Sequence, residues 1–305
     1  MNPILALIIA NFIWGAASPV FKFALENIPP FTLAFIRFFG ASLLFIPFIK
    51  WRELTKITQG DWVRIIIGSA FLGVFVNIFF FFLGLQRTVS INAPVIASSS
   101  PILLFILSII FLKEKPKLNV FLGMMIAFIG VLLIILMPLL SSGINIKDLS
   151  QFEGNLFFVI ATLGSVLSTL MIKNVLKQVS PMILTVLGFF FSCFGFLPLM
   201  MGELKTWSFY QIDSAGFIGI IFGIFFSSAA AYFLYSYGLS KIKAQEVGLF
   251  AYIDPVIAVL IAIPLLGEYP NIEFIIGTLL IFLGIFIGEN RIHYHPFHRI
   301  AKYLR

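Results

Sequence analysis

Residues 255–270 read PVIAVLIAIPLLGEYP, and residues 101–116 read PILLFILSIIFLKEKP. Both stretches begin on proline, run apolar for about ten residues and turn through Leu-x-Glu-x-Pro, at Leu112 to Pro116 and Leu266 to Pro270. Shifting the chain by 154 residues superposes them, Pro101 on Pro255, Glu114 on Glu268 and Pro116 on Pro270. The same shift brings Gly84-Leu85 onto Gly238-Leu239, Gly123 onto Gly277, Phe128 onto Phe282 and Gly130 onto Gly284. With a slip of three residues, at 151, Pro30 meets Pro181 and Lys22 meets Lys173. The chain is read as an internal repeat.

Composition says what kind of repeat. Of 305 residues 60% are apolar, 16% aromatic and 11% charged, too few polar groups to cover a water-facing surface. The 38 Phe exceed the needs of one buried core but suit a chain whose exterior is also oily. A bilayer core of about 30 Å needs roughly 20 apolar residues per helix. Ten runs meet that length: 4–25, 30–49, 62–85, 90–112, 118–137, 154–175, 181–201, 214–239, 247–266 and 271–288. They are apolar on every face, whereas a membrane barrel alternates. The fold class expected is all-α transmembrane, ten helices as two inverted five-helix repeats. The units are 1–140 and 151–290, joined by an outer connection over 141–153 and followed by a basic tail, 291–305. Five spans is an odd number, so the second unit enters the membrane from the opposite side.

Fifteen of the 20 Lys and Arg fall in one set of connections and in the tail, against three (Arg87, Lys147, Lys205) in the other set. That bias puts both termini in the cytoplasm. The net charge of +7 is therefore a topology signal and not a nucleic-acid surface. The lone Cys193 excludes a disulfide framework.

The motif Pro…Leu-x-Glu at Pro101…Leu112-Lys113-Glu114 and Pro255…Leu266-Gly267-Glu268 resembles the drug/metabolite transporter superfamily, EamA type. Trp14-Gly15 and Arg37-Phe38 resemble that family's first-half marks, and the likeness spans residues 4–288. The resemblance implies ten helices with cytoplasmic termini and a secondary carrier, commonly an exporter of amino acids, related metabolites or amphiphilic drugs. One departure is that Gly188 stands where the repeat would place a second Arg37.

Several polar residues are placed deep in spans. Asp254, eighth in its run, lies roughly 11 Å inside the core, where an acid faces a cavity or a partner. It is read either as the coupling residue that takes up a proton or as a structural acid tied to a neighbouring helix. Arg37, at similar depth, is a candidate for an anionic substrate group or for neutralising Asp254. Lys22 lies nearer the outer interface and is expected to snorkel. Asn11, Trp14, Ser18 and Lys22 form one helical stripe, with Trp14 a candidate pocket wall. Asn77, Ser99 (within Ser98-Ser99-Ser100), Ser165, Ser168, Tyr232 and Tyr252 complete the candidate binding set, although for each Ser close packing or bonding to its own backbone competes. Tyr235 and Tyr237 are read as interfacial belt residues. Gly219, Gly223, Ser227 and Ala231 form a small-residue stripe for close helix approach.

These features point to a secondary transporter in a prokaryotic plasma (inner) membrane, acting on a small-molecule substrate with protons as candidate coupling ion. A facilitative channel or uniporter-like permease without ion coupling is the alternative. No Gly-x-x-x-x-Gly-Lys-Ser/Thr loop occurs, all three His lie in the tail, and no metal or cofactor motif is read, which argues against an enzyme. The chain is read as a monomer or homodimer with no nucleic-acid partner.

Overall fold

The computed structural model describes residues 1–49, 51–100, 102, 103, 107, 122, 123, 125, 126, 128–130, 132–134, 146–242, 247, 250, 251 and 253–289. Pro101, the Leu112 to Pro116 turn, Tyr252 and the 291–305 tail lie outside the described residues.

Nine labelled helices follow one another among the described residues: α1 (Pro3–Ala24), α2 (Pro30–Phe45), α3 (Gln59–Arg87), α4 (Asn92–Ala97), α5 (Ile146–Val175), α6 (Pro181–Glu203), α7 (Ser214–Lys241), α8 (Ile253–Leu266) and α9 (Ile272–Glu289). Among the described residues six helices are long and apolar enough to cross a membrane, two more apolar helices are shorter, and no strand occurs. Large apolar side chains such as Phe12, Phe71, Phe194 and Phe226 stand exposed on the outside, where lipid is their natural solvent. The chain is an integral, multi-pass, all-α membrane protein of about ten helices.

Local chemistry sets the helix ends. Prolines at the first turns of α1, α2 and α6 cost nothing, because those amides have no intrahelical partner. The side chains of Asn2, Ser180 and Asp213 cap α1, α6 and α7. At the end of α8, Gly267 adopts φ 65°, the left-handed conformation that closes a helix and frees the chain to turn.

Two long helices change pitch midway. The Arg64–Val76 stretch of α3 and the Phe222–Ala230 stretch of α7 are π-helical. Each then passes into an eleven-residue α-helical end, Asn77–Arg87 and Ala231–Lys241, at the 154-residue offset seen in the sequence. Likewise α1 and α5 end at Ala24 and Val175, and α2 and α6 start at Pro30 and Pro181, offset by 151. The helix pairs follow the same exchange. As α3 packs on α5 and α6, so α7 packs on α1 and α2; as α4 meets α5, so α8 meets α1; and α2 packs on α6.

Hydrophobic burial does little to join helices already in lipid, so close packing must. The core is correspondingly aromatic, with Phe38 set against Phe189 and Phe196, and Phe158 pressed beside Gly84. Asn77 Nδ2 ties α3 to α5 by donating to the Ala161 carbonyl at 2.8 Å.

Candidate functional site

α1 runs between α7 and α8, and Asn11, Trp14 and Ser18 of its polar stripe face a cavity of about 220 Å³. Asn11, Trp14, Ser18, Arg37, Asn77, Ser165, Ser168, Tyr232 and Asp254 all line it. The π-helical stretches contribute Ser69, Gly73 and Val74 from α3 and Ser227 from α7, in keeping with the frequent placement of π turns at functional sites.

Arg37, the eighth residue of α2, is 1% exposed. Its Nε donates to Ser228 Oγ and its Nη2 to Ser227 Oγ, both at 2.9 Å. The guanidinium carbon sits 4.4 Å from the ring centroid of Phe21 and 4.6 Å from that of Phe38. Cation–π contact and hydroxyl dipoles together stabilise a charge held this deep. Its Nη1 has no hydrogen-bond partner among the described residues.

Asp254 occupies the first turn of α8. Pro255 explains this start, since proline suits a first helical turn and disrupts an interior one. The positive end of the helix dipole supplies field to a carboxylate there. Asp254 Oδ1 and Ser18 Oγ also lack partners among the described residues. Two cavity-lining residues of opposite charge thus each keep one side-chain atom without a partner among the described residues. Of the two roles read for Arg37, neutralisation of Asp254 is not formed: the Arg37 bonds go to the Ser227–Ser228 pair instead.

An aromatic wall lines the same space. The Trp14 ring lies 5.2 Å from Tyr232 at 80° and 5.1 Å from Tyr235 at 49°. Trp14 Nε1 donates to the Ser227 carbonyl at 3.2 Å. Tyr235 is therefore not a belt residue. It is a cavity residue, its hydroxyl 3.3 Å from Thr169 Oγ1.

Ser99 is not brought to the cavity; its hydroxyl donates to the Ile96 carbonyl at 2.7 Å, whereas Ser100 reaches the lining. The reason is a break after Ala97, where three consecutive serines satisfy their own backbone. Tyr252 lies outside the described residues. Lys22 does not snorkel freely: its Nζ lies 3.2 Å from Glu268 Oε1 and donates to the Thr88 carbonyl.

Sequence reading missed Ser228, the second anchor of Arg37, and took Ser227 only as a small packing residue. A pair of hydroxyls at the depth of a buried Arg was the available signal. It also missed Thr169 and the Lys22–Glu268 pair, although Glu268 stood in the repeated turn.

A polar, aromatic-walled cavity among membrane-spanning helices is what a transporter of small solutes requires. The comparisons with known proteins narrow this. The chain belongs to the EamA-like transporter family, which matches over residues 1–136 and 152–288. It is 27% identical over 289 residues to the uncharacterized transporter YetK of Bacillus subtilis, covering 94% of this chain and 86% of that one. It is 28% identical over 291 residues to an uncharacterized transporter of Archaeoglobus fulgidus, covering 90% and 94%. A solved crystal structure shares the fold at a TM-score of 0.65 and 17% identity, over 96% of this chain and 99% of that one. The protein is a membrane transporter and not an enzyme.

Proposed function

We propose that this transporter is a secondary carrier that moves small organic solutes outward across a prokaryotic plasma membrane by alternating access. The solute binds in the cavity between Arg37 and Asp254, and Asp254 exchanges a proton for it. The carrying observation is that Arg37 and Asp254 line one aromatic-walled cavity, and that Arg37 Nη1 and Asp254 Oδ1 have no hydrogen-bond partner among the described residues. A solute with an anionic or acceptor group and a cationic amine, such as an amino acid or a related metabolite, would satisfy both. Buried polar groups left unpaired are costly, so binding gains most from a ligand that pairs them.

Alternating access follows from two halves, 1–140 and 151–290, threaded in opposite senses. The matching element boundaries at offsets of 151 and 154 and the exchange of helix partners support this reading. So does the family's match over residues 1–136 and 152–288. The bias of Lys and Arg supports cytoplasmic termini. Once Asp254 is protonated it no longer attracts an amine, so solute and proton exclude one another at that site. That is the minimum needed for coupling.

A thermal-shift screen of the purified protein against amino acids, nucleosides and amphiphilic cations identifies the solute, and proteoliposome counterflow then tests transport. Zwitterions are expected to stabilise the protein most. If only neutral solutes bind, the paired-charge reading fails.

A further inference from the structure

We propose that Lys22 and Glu268 form a latch over one end of the cavity that opens and closes in every transport cycle, with Lys173 holding the corresponding place at the other end. The inference rests on the alternating-access reading above, and it adds the gating residues.

Ser18 and Phe21 of α1 line the cavity, and Lys22 stands one turn beyond Ser18 on the same helical face. Ala93 and Pro94 of α4 line it too, and Ser90 and Ile91 come just before that helix. Glu268 closes the gap between these walls. Its Oε2 accepts from Ser90 N at 2.8 Å, Ser90 Oγ at 2.6 Å and Ile91 N at 3.4 Å, while its Oε1 meets Lys22 Nζ at 3.2 Å. Lys22 also donates to the Thr88 carbonyl of its own half. Glu268 comes from the other half.

At the far end the pattern recurs. Thr169 and Ile172 of α5 and Tyr235 and Ser236 of α7 line the cavity, and Lys173 follows directly after Ile172. Its Nζ donates to the carbonyl of Leu239 and, at 2.5 Å, to that of Ile242. The separation from lysine to carbonyl is 66 residues in both cases, Lys22 to Thr88 and Lys173 to Leu239. In sequence the 154-residue shift aligns Glu114 with Glu268, and Glu114 lies outside the described residues.

The Thr88 carbonyl, within the same half, keeps the Lys22 ammonium placed when Glu268 of the opposite half leaves. The Lys22 side chain is 27% exposed, so water can take over from the departing Glu268. A pair with that access to solvent is weak enough to break and reform. Rocking of one half against the other would then draw Lys22 away from its carboxylate as the opposite end closes, and the reverse on return.

The test reads access and not transport. In the full chain carrying Cys193→Ser, a Ser18→Cys reporter is labelled with a membrane-impermeant thiol reagent in right-side-out and in inside-out vesicles. Lys22→Met and Glu268→Gln are each expected to raise labelling several-fold from the outer side and lower it from the other. The exchanged pair Lys22→Glu/Glu268→Lys is expected to return labelling toward that of the parent. Lys173→Met should raise labelling from the inner side. Parental labelling from both sides in the single variants overturns the latch, as does an exchanged pair that behaves like the single variants. If a single variant does not fold, the exchanged pair and Lys173→Met decide. The assay needs no solute, so the latch stands or falls apart from the solute assignment.

Discussion

Arg37 and Trp14 meet on one residue of α7: Arg37 Nη2 donates to the Ser227 hydroxyl at 2.9 Å, and Trp14 Nε1 donates to the Ser227 carbonyl at 3.2 Å. The cation and the aromatic wall are thereby fixed to a common point in the π-helical stretch. Displacement of that stretch moves both together, which couples the binding surface to the helix that carries it.

Arg37→Lys keeps the charge but loses the planar fork that reaches Ser227 and Ser228 together. KM for anionic and zwitterionic solutes is expected to rise on the order of tenfold, equivalent to about 1.4 kcal/mol. Neutral solutes should be affected far less, and transport assays with matched charged and neutral solutes check the difference.

Ser227→Ala removes one acceptor from a buried guanidinium while leaving the carbonyl that holds Trp14. Orphaning such a donor costs about 1–3 kcal/mol, so the melting temperature in detergent should fall. Trp14 fluorescence is expected to stay near that of the parent, because its own hydrogen bond is untouched.

Gly15 lies where α1 crosses the start of α8, and a Cβ there would stand 2.8 Å from the Asp254 carbonyl and 2.8 Å from Ile257 Cβ. Gly15→Ala should therefore push Asp254 out of place, costing about 1–3 kcal/mol in stability as well as transport. Gly202→Ala is the control, since nothing lies within 4 Å of its Cβ. In a helix that change is expected to be neutral or stabilising by about 0.5–1 kcal/mol. Thermal denaturation of both variants separates steric crowding from helix propensity.

The architecture was largely legible because it is written in long-range regularities. Apolar run length located the six described helices long enough to cross a membrane, and repeated prolines and glycines pointed to the 151 and 154 offsets at which helices begin and end. Side-chain destinations were less legible. Lys22 looks free in the sequence because its partner, Glu268, is distant along the chain and sits in a turn. Tyr235 looks interfacial by depth, yet the packing of α7 against α1 turns it onto Trp14. Ser99 and Ser100 are neighbours, and only a helix break invisible in an apolar pattern decides which one faces the cavity.

Glu203, at the end of α6, holds the start of α2: its carboxylate accepts from Phe31 N at 3.1 Å, Thr32 N at 2.6 Å and Thr32 Oγ1 at 2.7 Å. Glu203→Gln retains the shape but loses the charge that suits a helix N-terminus. A loss of about 1 kcal/mol is expected. Chemical denaturation checks it, with Glu26→Gln, a glutamate in the α1–α2 turn, as a reference that should change little.

The most direct test of carriage through the Arg37–Asp254 cavity is solute counterflow and pH-gradient-driven accumulation by Asp254→Asn in proteoliposomes, with folding verified by thermal denaturation. Asn keeps the side-chain volume and cannot exchange a proton, so accumulation against a gradient is expected to vanish while the protein remains folded. Accumulation equal to that of the parent at every pH would contradict coupling at Asp254.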